Sequence, residues 1–492
     1  MNPLKVVIVG YGMAGARLAE LVRERDPEGE RVELTIVGAE SRPAYNRVLL
    51  SGVLDGTMTA DDIALHGREW ARDNQVRLLL GATAVRLDRA ARVVHLTDGS
   101  STGCSPVGHS PVGYDVLVLA TGSRPWLPPV GGLADERGAP ARSVATLRGL
   151  DDCARIAALT GPGVPVAVLG GGVLGVETAL ALARRGAGVT LVHPAPHLME
   201  RHLDPTAGMI LAGLCRAAGV RVVTGLAAVR HYPDEGVKLE DGAFVPAALT
   251  VVTAGVRPET DLAVAAGLGS AEGVPVDDRL RTADPRVHAL GDCARVGDAP
   301  SGLLRPAWEQ AAVLADLLTG ADRTARYSPS PAVTRLRAGA IDLTAFGASH
   351  LGLDSREAEV LSYADPARGT YAKVALDGDQ VAGAIVLGLP DAGAALTQLY
   401  DTGRPAPTDR PALLLGRALP RAVEDDPAHL PDSTVICRCN SVTKADLTRA
   451  ARVTGGGVTA LVRATRASTG CGDCLPRVRR LAGPHDTTGT QT

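Results

Sequence analysis

The chain carries four cysteines near its C-terminal end, arranged in two close pairs. Cys437 and Cys439 are separated by one residue, Cys471 and Cys474 by two, and 31 residues lie between the pairs. Four thiolates form the ligand shell of a [2Fe–2S] cluster, and the same four sulfurs suit a structural zinc ion. The spacing therefore predicts a metal centre and leaves iron–sulfur and zinc both open.

Disulfide bonds are a third use for these cysteines. The first residues of the chain run directly into an apolar strand pattern with no signal peptide, so we expect a cytoplasmic protein with reduced thiols. No Cys-x4-Cys follows the first strand–helix–strand pattern, which disfavours a redox-active dithiol. Cys293 is expected to be a small buried thiol. The remaining cysteines stand far apart: Cys104, Cys153, Cys215 and Cys293.

A dinucleotide-binding pattern opens the chain. An apolar strand leads directly into Gly10-x-Gly12-x-x-Gly15, followed by an Ala-rich helix pattern and a second strand that ends near Glu40. Gly10 would make the turn, Gly12 would let a pyrophosphate approach, and Gly15 would let helix and strand pack closely. The Glu40 carboxylate would bind the ribose hydroxyls of an adenine dinucleotide. This order predicts a Rossmann-like α/β domain.

The same pattern returns in the middle of the chain. A strand leads into Gly170-x-Gly172-x-x-Gly175, and a helix pattern follows that includes Glu177. The repetition predicts a second Rossmann-like domain and therefore a second bound dinucleotide.

The second pattern lacks the acid that normally ends its second strand. His193 stands in that place, and His197 and Arg201 follow it. Without a carboxylate for the ribose 2′-hydroxyl, these three side chains are candidates to meet a 2′-phosphate, or they only line a loop. The choice between NADH and NADPH stays open, with NADH slightly favoured.

Length and charge exclude some classes of protein. The 492 residues correspond to three or four domains at roughly 100–200 residues each. The formal net charge is −3 and there is no basic stripe, so nucleic acid is not an expected partner. No apolar run approaches the ~18 residues of a spanning helix, so a membrane is not expected either.

Two further segments resemble those of two-dinucleotide flavoprotein reductases, over residues 4–320. The strand and turn that contain Thr121 and Gly122, and the later Gly-Asp pair at Asp292, are similar to this family's two FAD contacts. Gly255 occupies the matching turn of the nicotinamide domain. The resemblance implies FAD in the first domain, held in part by Asp292 at the ribityl chain, and NAD(P)H in the second.

Within that large family, residues 42–51 and 198–204 resemble the flavin portion of assimilatory nitrite reductase large subunits and nitrate reductase electron-transfer subunits. The resemblance places Arg47 beside the flavin, where a cation would stabilise reduced anionic flavin; otherwise Arg47 is a surface residue. Glu177 is a positioning group for the nicotinamide or an ordinary helix residue. Ferredoxin reductases of oxygenase systems are the closest rivals, but they usually have Lys where Gly52 stands.

The cysteine-rich end resembles the bacterioferritin-associated-ferredoxin type of [2Fe–2S] domain, which favours iron–sulfur over zinc. Residues 435–443 and 469–474 carry this resemblance. Thr443 and Asp446 predict a capped helix start, and Leu475-Pro476 predicts another.

The expected fold class is α/β: two Rossmann-like domains with the second inserted in the first, a small α+β interface domain with a hairpin at Asp377-Gly378, and a small helical [2Fe–2S] domain. The interface domain often supports homodimers in the family. The expected boundaries are 1–145 and 271–324 for FAD, 146–270 for NAD(P)H, 325–390 for the interface domain, 391–433 for a Pro-rich linker, 434–482 for the cluster and 483–492 for a disordered tail.

These parts predict an enzyme that passes electrons from NAD(P)H through FAD and a [2Fe–2S] cluster to a separate redox protein, most simply a nitrate or nitrite reductase catalytic subunit. A sirohaem site would need four more cysteines after Cys474, so we expect no nitrite reduction by this polypeptide itself. We expect no catalytic general base. The alternatives are a ferredoxin or rubredoxin reductase whose four-cysteine module is a zinc-bound docking element, or a module that senses rather than conducts.

Overall fold

A computed structural model describes most of the chain and divides it into two units. The described residues are 2–67, 69–98, 111–297, 299–300, 304–416, 427–428, 430–432, 434–437, 442–468 and 474–482. The first unit comprises Met1–Arg47, Ala60–Arg124 and Val256–Ser330, and the second comprises Val48–Thr59, Pro125–Gly255 and Pro331–Thr492.

The described residues form both strands and helices. The strands are β1 (Leu4–Val9), β2 (Val32–Gly38), β3 (Val76–Leu80), β4 (Ala82–Asp88), β5 (Val93–Asp98), β6 (Val112–Gly113), β7 (Val116–Leu119), β8 (Ser123–Pro125), β9 (Val144–Thr146), β10 (Pro165–Leu169), β11 (Gly188–His193), β12 (Arg221–Thr224), β13 (Ala228–Tyr232), β14 (Gly236–Leu239), β15 (Phe244–Pro246), β16 (Leu249–Val252), β17 (Val256–Pro258), β18 (Val274–Val276), β19 (Val287–Ala289), β20 (Ala294–Val296), β21 (Ala299–Pro300), β22 (Val333–Ala338), β23 (Ile341–Gly347), β24 (Glu359–Asp365), β25 (Thr370–Asp377), β26 (Gln380–Leu387), β27 (Val435–Cys437) and β28 (Val442–Thr443). The helices are α1 (Met13–Arg25), α2 (Leu50–Leu54), α3 (Trp70–Asp73), α4 (Leu150–Leu159), α5 (Val173–Arg184), α6 (Pro205–Ala217), α7 (Asp261–Ala265), α8 (Leu304–Thr319), α9 (Pro390–Thr402), α10 (Arg410–Leu414), α11 (Lys444–Thr454), α12 (Val458–Thr465) and α13 (Leu475–Leu481).

The first unit is built on a parallel sheet with strand order β19-β7-β1-β2-β3. The last four residues of β1, Val6 to Val9, are apolar and all buried, as expected for a strand covered on both faces. Helices α1 and α8 share one apolar cluster with this sheet, and the antiparallel strands β4, β5 and β6 contribute to a second. The carboxyl ends of the parallel strands meet at one edge, where ligands of such sheets bind.

The second unit contains a similar parallel sheet with strand order β12-β11-β10-β16-β9. Strand β10 pairs with β11 and β16 in parallel register, for example Val168 with Leu191 and Val251. The antiparallel strands β13, β14 and β15 pack their buried residues into the same core. The predicted α/β class with two Rossmann-like sheets, the second inserted in the first, is therefore confirmed.

The unit boundaries differ from the predicted domain boundaries. Residues 125–145 lie in the second unit, because β9 pairs with β16 of its sheet. Residues 256–270 lie in the first unit, because α7 buries Ala263 in the first unit's core. Gly122 and Gly255 lie close to the two positions at which the chain passes from one unit to the other. Both positions come earlier in the sequence than the predicted domain boundaries.

The second unit also holds an antiparallel sheet with strand order β22-β23-β26-β25-β24. The predicted hairpin at Asp377-Gly378 joins β25 to β26. The predicted linker is wrong for residues 391–416, where α9 and α10 bury apolar side chains against this sheet. Pro390 and Pro411, two of the prolines that indicated a linker, stand at helix starts, and Ala392, Leu396 and Leu399 follow helical spacing.

The C-terminal described residues form a small cluster of short elements. Strands β27 and β28 pair in antiparallel fashion, and α11, α12 and α13 pack around one apolar core. The residues after 482, expected to be a disordered tail, lie outside the described residues. None of the described helices combines the length and apolar character needed to span a membrane.

Candidate functional site

The first glycine loop leaves an open cradle at the start of α1. A Cβ on Gly10 would lie 2.1 Å from the Ala120 carbonyl oxygen, and one on Gly15 would lie 2.1 Å from the Gly10 carbonyl oxygen. Both positions therefore exclude side chains for packing reasons. Gly12 is different, because its Cβ position has only Arg47 Nε near it, at 4.0 Å. Since no side chain caps α1, its N-terminal amides are available to a phosphate group, which fits the pyrophosphate of FAD.

The predicted ribose-binding acid lies at the carboxyl end of β2 within a small polar group. The Tyr45 hydroxyl donates to Glu40 Oε2 at 2.8 Å, and the Arg47 guanidinium forms an ion pair with the Glu40 carboxylate. Arg47 also lies over the Tyr45 ring, 4.9 Å from its centroid. The contacts of Arg47 are thus with Glu40, Tyr45 and the surroundings of Gly12, and its expected position beside the flavin ring stays a prediction.

The second expected FAD contact lies against the same helix start. A Cβ on Gly291 would lie 3.0 Å from Ala14 Cβ, so the turn that carries Asp292 touches the first turn of α1. The Ser123 hydroxyl donates to Asp292 Oδ2 at 2.6 Å, and the Gly291 amide donates to Gln310 Oε1 at 2.8 Å. These bonds hold the Asp292 carboxylate at the edge where a flavin dinucleotide would lie.

The turn that contains Thr121 and Gly122 is bound to the segment after β17. The Thr121 hydroxyl donates to the Glu259 carbonyl oxygen at 2.6 Å, and the Glu259 amide donates to the Gly122 carbonyl oxygen at 2.9 Å. Within the second unit, the Trp126 amide donates to the carbonyl oxygen of Gly255 at 3.0 Å. These turns have fixed backbones, and their expected contacts with the cofactors stay predictions.

A buried polar chain next to the first loop was not found from the sequence. His66 contacts the Tyr11 hydroxyl through Nδ1 and Glu20 Oε1 through Nε2, the latter at 2.7 Å. The Trp70 ring stacks on the His66 ring with centroids 3.8 Å apart. Tyr11 stands between the first two glycines of the loop, so this hydrogen-bonded group of side chains helps to hold the phosphate cradle. The sequence signal was weak, because nothing near His66 indicated that it is buried.

The second glycine loop repeats the geometry of the first. A Cβ on Gly170 would lie 2.6 Å from the Thr253 carbonyl oxygen, and one on Gly175 would lie 1.7 Å from the Gly170 carbonyl oxygen. Nothing lies within 4 Å of the Cβ position of Gly172, and no side chain caps α5. A second anionic dinucleotide therefore fits at the start of α5.

Glu177 lies on α5, one turn from the second glycine loop, and is partly exposed. Burial of its surroundings raises the pKa of its carboxyl from 4.5 to about 8. It forms no hydrogen bond or ion pair with the described residues. At pH 7 the carboxyl is therefore mostly protonated and can donate a hydrogen bond to a bound ligand.

The structure brings one cysteine of each C-terminal pair into the same core. Cys437 ends β27 and Cys474 directly precedes α13; the two are 1% and 4% exposed and belong to one apolar cluster. Cys439 and Cys471 lie outside the described residues. Two buried thiols in one apolar core fit the soft-ligand, water-poor surroundings of an iron–sulfur cluster. Among the described residues alone, no group of three or more metal-binding side chains is present.

The local signals around these cysteines are confirmed. Thr443 caps α11 and accepts from the Asp446 amide, while the Asp446 carboxylate accepts from the Thr443 amide at 2.9 Å. Helix α13 begins at Leu475, with a proline in its first turn.

The described cysteines outside this module are buried free thiols. Burial raises the pKa of Cys153 and of Cys215 to about 12. Cys293 is fully buried, and its thiol donates to the carbonyl oxygens of Leu119 and Leu290, each at 3.4 Å. The expectation of a small buried thiol at Cys293 is confirmed, and Cys104 lies outside the described residues.

Comparison with known proteins identifies two families along the chain. Residues 4–313 match the family described as pyridine nucleotide-disulphide oxidoreductase, and residues 435–482 match the BFD-like [2Fe-2S] binding domain. The cofactors that these two families imply are FAD, NAD(P)H and a [2Fe–2S] cluster, as predicted.

Two curated relatives from Bacillus subtilis (strain 168) match almost the whole chain. The chain is 32% identical to "Nitrite reductase [NAD(P)H]", covering 98% of this chain and 58% of the relative. It is 30% identical to "Assimilatory nitrate reductase electron transfer subunit", covering 98% of this chain and 60% of the relative. The chain thus spans less than two thirds of the length of these relatives. Both names agree with the predicted resemblance.

Solved structures show the same fold. The structure of the covalent putidaredoxin reductase–putidaredoxin complex superposes with a TM-score of 0.71 at 27% identity, covering 84% of this chain and 95% of that one.

Proposed function

The chain belongs to the pyridine nucleotide-disulphide oxidoreductase family, and we propose that it carries electrons from NAD(P)H through FAD and a [2Fe–2S] cluster to a separate redox protein. One observation carries the proposal. The same chain has two open glycine cradles at uncapped helix starts and a core that buries one cysteine from each of two close pairs.

The order of carriers follows from their chemistry: FAD held at the first glycine loop would take a two-electron hydride from a nicotinamide and supply single electrons to a one-electron cluster. The chain's own residues orient these groups. The amides at the starts of α1 and α5 receive the phosphates, and Glu40 and Asp292 hold hydroxyl groups of the flavin dinucleotide.

Glu177 supports the nicotinamide side as a neutral donor below pH 8, since burial raises its pKa to about 8. The apolar core around Cys437 and Cys474 would shield a bound cluster from water on the side of these two cysteines. No step requires a general base, because hydride and electron transfers need orientation more than proton transfer from the protein.

We infer that the acceptor is the catalytic subunit of an assimilatory nitrate or nitrite reductase. The names of the two Bacillus subtilis relatives support this acceptor. A cytoplasmic location is part of the proposal, because reduced thiols and NAD(P)H are both available there. The homodimer expected from the resemblance stays a prediction.

The proposal is tested by coupling the purified, FAD-loaded chain to a purified nitrate or nitrite reductase catalytic subunit. NADH-dependent reduction of that subunit is expected with the wild type and is expected to be lost in Cys437→Ser, while flavin reduction by NADH continues. Cys215→Ala is the matched control, a buried cysteine in the second unit outside the module. Equal acceptor reduction by Cys437→Ser would show that the module is a docking or sensing element.

A further inference from the structure

The end of β11, where the acid for the ribose is missing, is occupied by a fixed histidine. His193 is buried, and its Nδ1 accepts a hydrogen bond from the Gly171 amide at 3.1 Å. Because Nδ1 is an acceptor, the proton of the neutral ring is on Nε2. His193 Nε2 lies 2.8 Å from Glu200 Oε2 and donates to it. The histidine therefore links the second glycine loop to a carboxylate seven residues later.

The segment that leads to this carboxylate is anchored on the glycine loop. The Met199 amide donates to the Gly171 carbonyl oxygen at 2.9 Å. Leu198 and Met199 are buried, and a Cβ on Gly171 would lie 2.6 Å from Leu198 Cδ2. Met199 has a φ of +53°, a left-handed conformation that turns the chain back over the strand end. Glu200 thus emerges at the carboxyl edge of β10 and β11, with 35% of its side chain exposed.

We propose that Glu200, positioned by His193, replaces the strand-end acid and accepts hydrogen bonds from the adenosine ribose hydroxyls of NADH. The inference rests on the proposed function and decides its electron donor. A ribose 2′-hydroxyl can donate one hydrogen bond to a carboxylate, whereas the 2′-phosphate of NADPH is negatively charged like the carboxylate and has no such donor. The site is therefore specific for NADH.

The nearby cations do not form a phosphate site. Arg201 is 86% exposed, and its Nε lies 3.9 Å from Glu200 Oε1, so its nearest charged partner is the same carboxylate. His197 contacts its neighbour's backbone, with Nδ1 3.1 Å from the Leu198 carbonyl oxygen. A 2′-phosphate at this edge meets the Glu200 carboxylate before it meets a fixed cation. The sequence alone pointed to these basic residues because the position of Glu200 depends on the folded loop.

The test compares wild type, Glu200→Ala and Glu200→Gln as FAD-loaded protein. Stopped-flow measurement of flavin bleaching gives the second-order rate constants for flavin reduction by NADH and by NADPH. Calorimetry gives the Kd of NAD⁺ and NADP⁺ without any reaction. We expect a wild-type preference for NADH of at least about 100-fold. Glu200→Ala is expected to weaken NAD⁺ binding by about 10- to 100-fold and to reduce the NADH preference, with Glu200→Gln in between.

Glu235→Gln is the matched control, because Glu235 is an exposed glutamate in the turn between β13 and β14 of the same unit. It is expected to match the wild type in both measurements, and thermal melting confirms that each variant is folded. A wild-type preference for NADPH, or an unchanged NADH preference in folded Glu200→Ala, would overturn the inference. If neither nicotinamide bleaches the wild-type flavin, the proposed function fails instead, and the NAD⁺ and NADP⁺ affinities still decide the role of Glu200.

Discussion

The two glycine loops share one backbone but use different side chains around it. Each loop has two glycines that backbone packing demands and a middle glycine with open space at the start of an uncapped helix. The residue between the first two glycines is Tyr11 in one loop and Gly171 in the other. The space beside Gly171 is filled by His193 and Leu198 instead.

The acids proposed to bind the two riboses differ in the same way. Glu40 follows its strand directly, whereas Glu200 reaches the equivalent edge from a folded loop through His193. The first loop has Arg17 two residues after its last glycine, and Arg17 Nη1 lies 3.1 Å from Glu20 Oε2. The second loop has Glu177 at the equivalent position. The glycine spacing of each loop is therefore visible locally in the sequence, whereas the proposed choice of nucleotide depends on contacts between residues farther apart.

The largest expected effect comes from substituting the last glycine of either loop, which destabilises the fold around both cradles alike. Gly15→Ala and Gly175→Ala each place a Cβ about 2 Å from a backbone carbonyl oxygen, 2.1 and 1.7 Å respectively, which no rotamer change relieves. Overpacking of this kind costs about 1–3 kcal/mol of unfolding free energy, or more. Thermal melting of the purified variants measures it. Melting temperatures equal to wild type would show that the loops are not this tightly packed.

The next expected effect distinguishes the dinucleotides that the two loops bind. Gly172→Ala adds a methyl group in open space, so the fold is expected to be intact while NAD⁺ binding weakens by at least about tenfold, the scale of 1.4 kcal/mol. Its FAD content is expected to equal wild type. Gly12→Ala is the converse variant, with lost FAD and retained NAD⁺ binding. Loss of both dinucleotides in either variant would contradict the assignment of one loop to each.

A smaller effect is expected when a substitution disturbs His193, which links the second glycine loop to Glu200. Gly171→Ala would place a Cβ 2.8 Å from His193 Cγ, so the ring and the Glu200 carboxylate must move. We expect the ratio of NADH to NADPH rates to fall by about tenfold. Flavin bleaching with each nicotinamide measures this ratio. An unchanged ratio in the folded variant would separate His193 from nucleotide choice.

A further expected effect is on pH dependence and concerns Glu177. Its pKa of about 8 in the folded chain lies above the ordinary 4.5, so its protonated form contributes stability that is complete below pH 4.5 and is lost as the pH rises through about 8. The melting temperature of the wild type is expected to fall relative to Glu177→Gln over this range and then to stay level. Glu235→Gln serves as the control and should follow the wild type. Parallel curves for wild type and Glu177→Gln would mean that the carboxyl titrates normally.

Much of this architecture was predictable because its signals are local. The glycine loops, the Thr443 and Asp446 cap and the hairpin at Asp377-Gly378 each depend on residues within a few positions of one another. Burial of Cys437 and Cys474 in one core agrees with the predicted metal centre.

The missed features depend on long-range packing. Helix α9 was read as linker because prolines mark both chain breaks and helix starts, and only its packing on β26 separates the two. His66 and Glu20 are 46 positions apart, so their contact with each other and with Tyr11 was not visible in the sequence. Glu200 likewise reaches its place only through a buried histidine and an anchored loop.

The central claim is that one polypeptide conducts electrons from a nicotinamide to its C-terminal cysteine module. The most direct test is an oxygen-free titration of the purified chain with NADH, followed by visible spectroscopy and metal analysis. The account predicts iron, flavin bands and a broad iron–sulfur absorption, with both signals bleaching, and only the flavin signal in Cys437→Ser. Zinc in place of iron, or an iron–sulfur band that persists while the flavin is fully reduced, would contradict it.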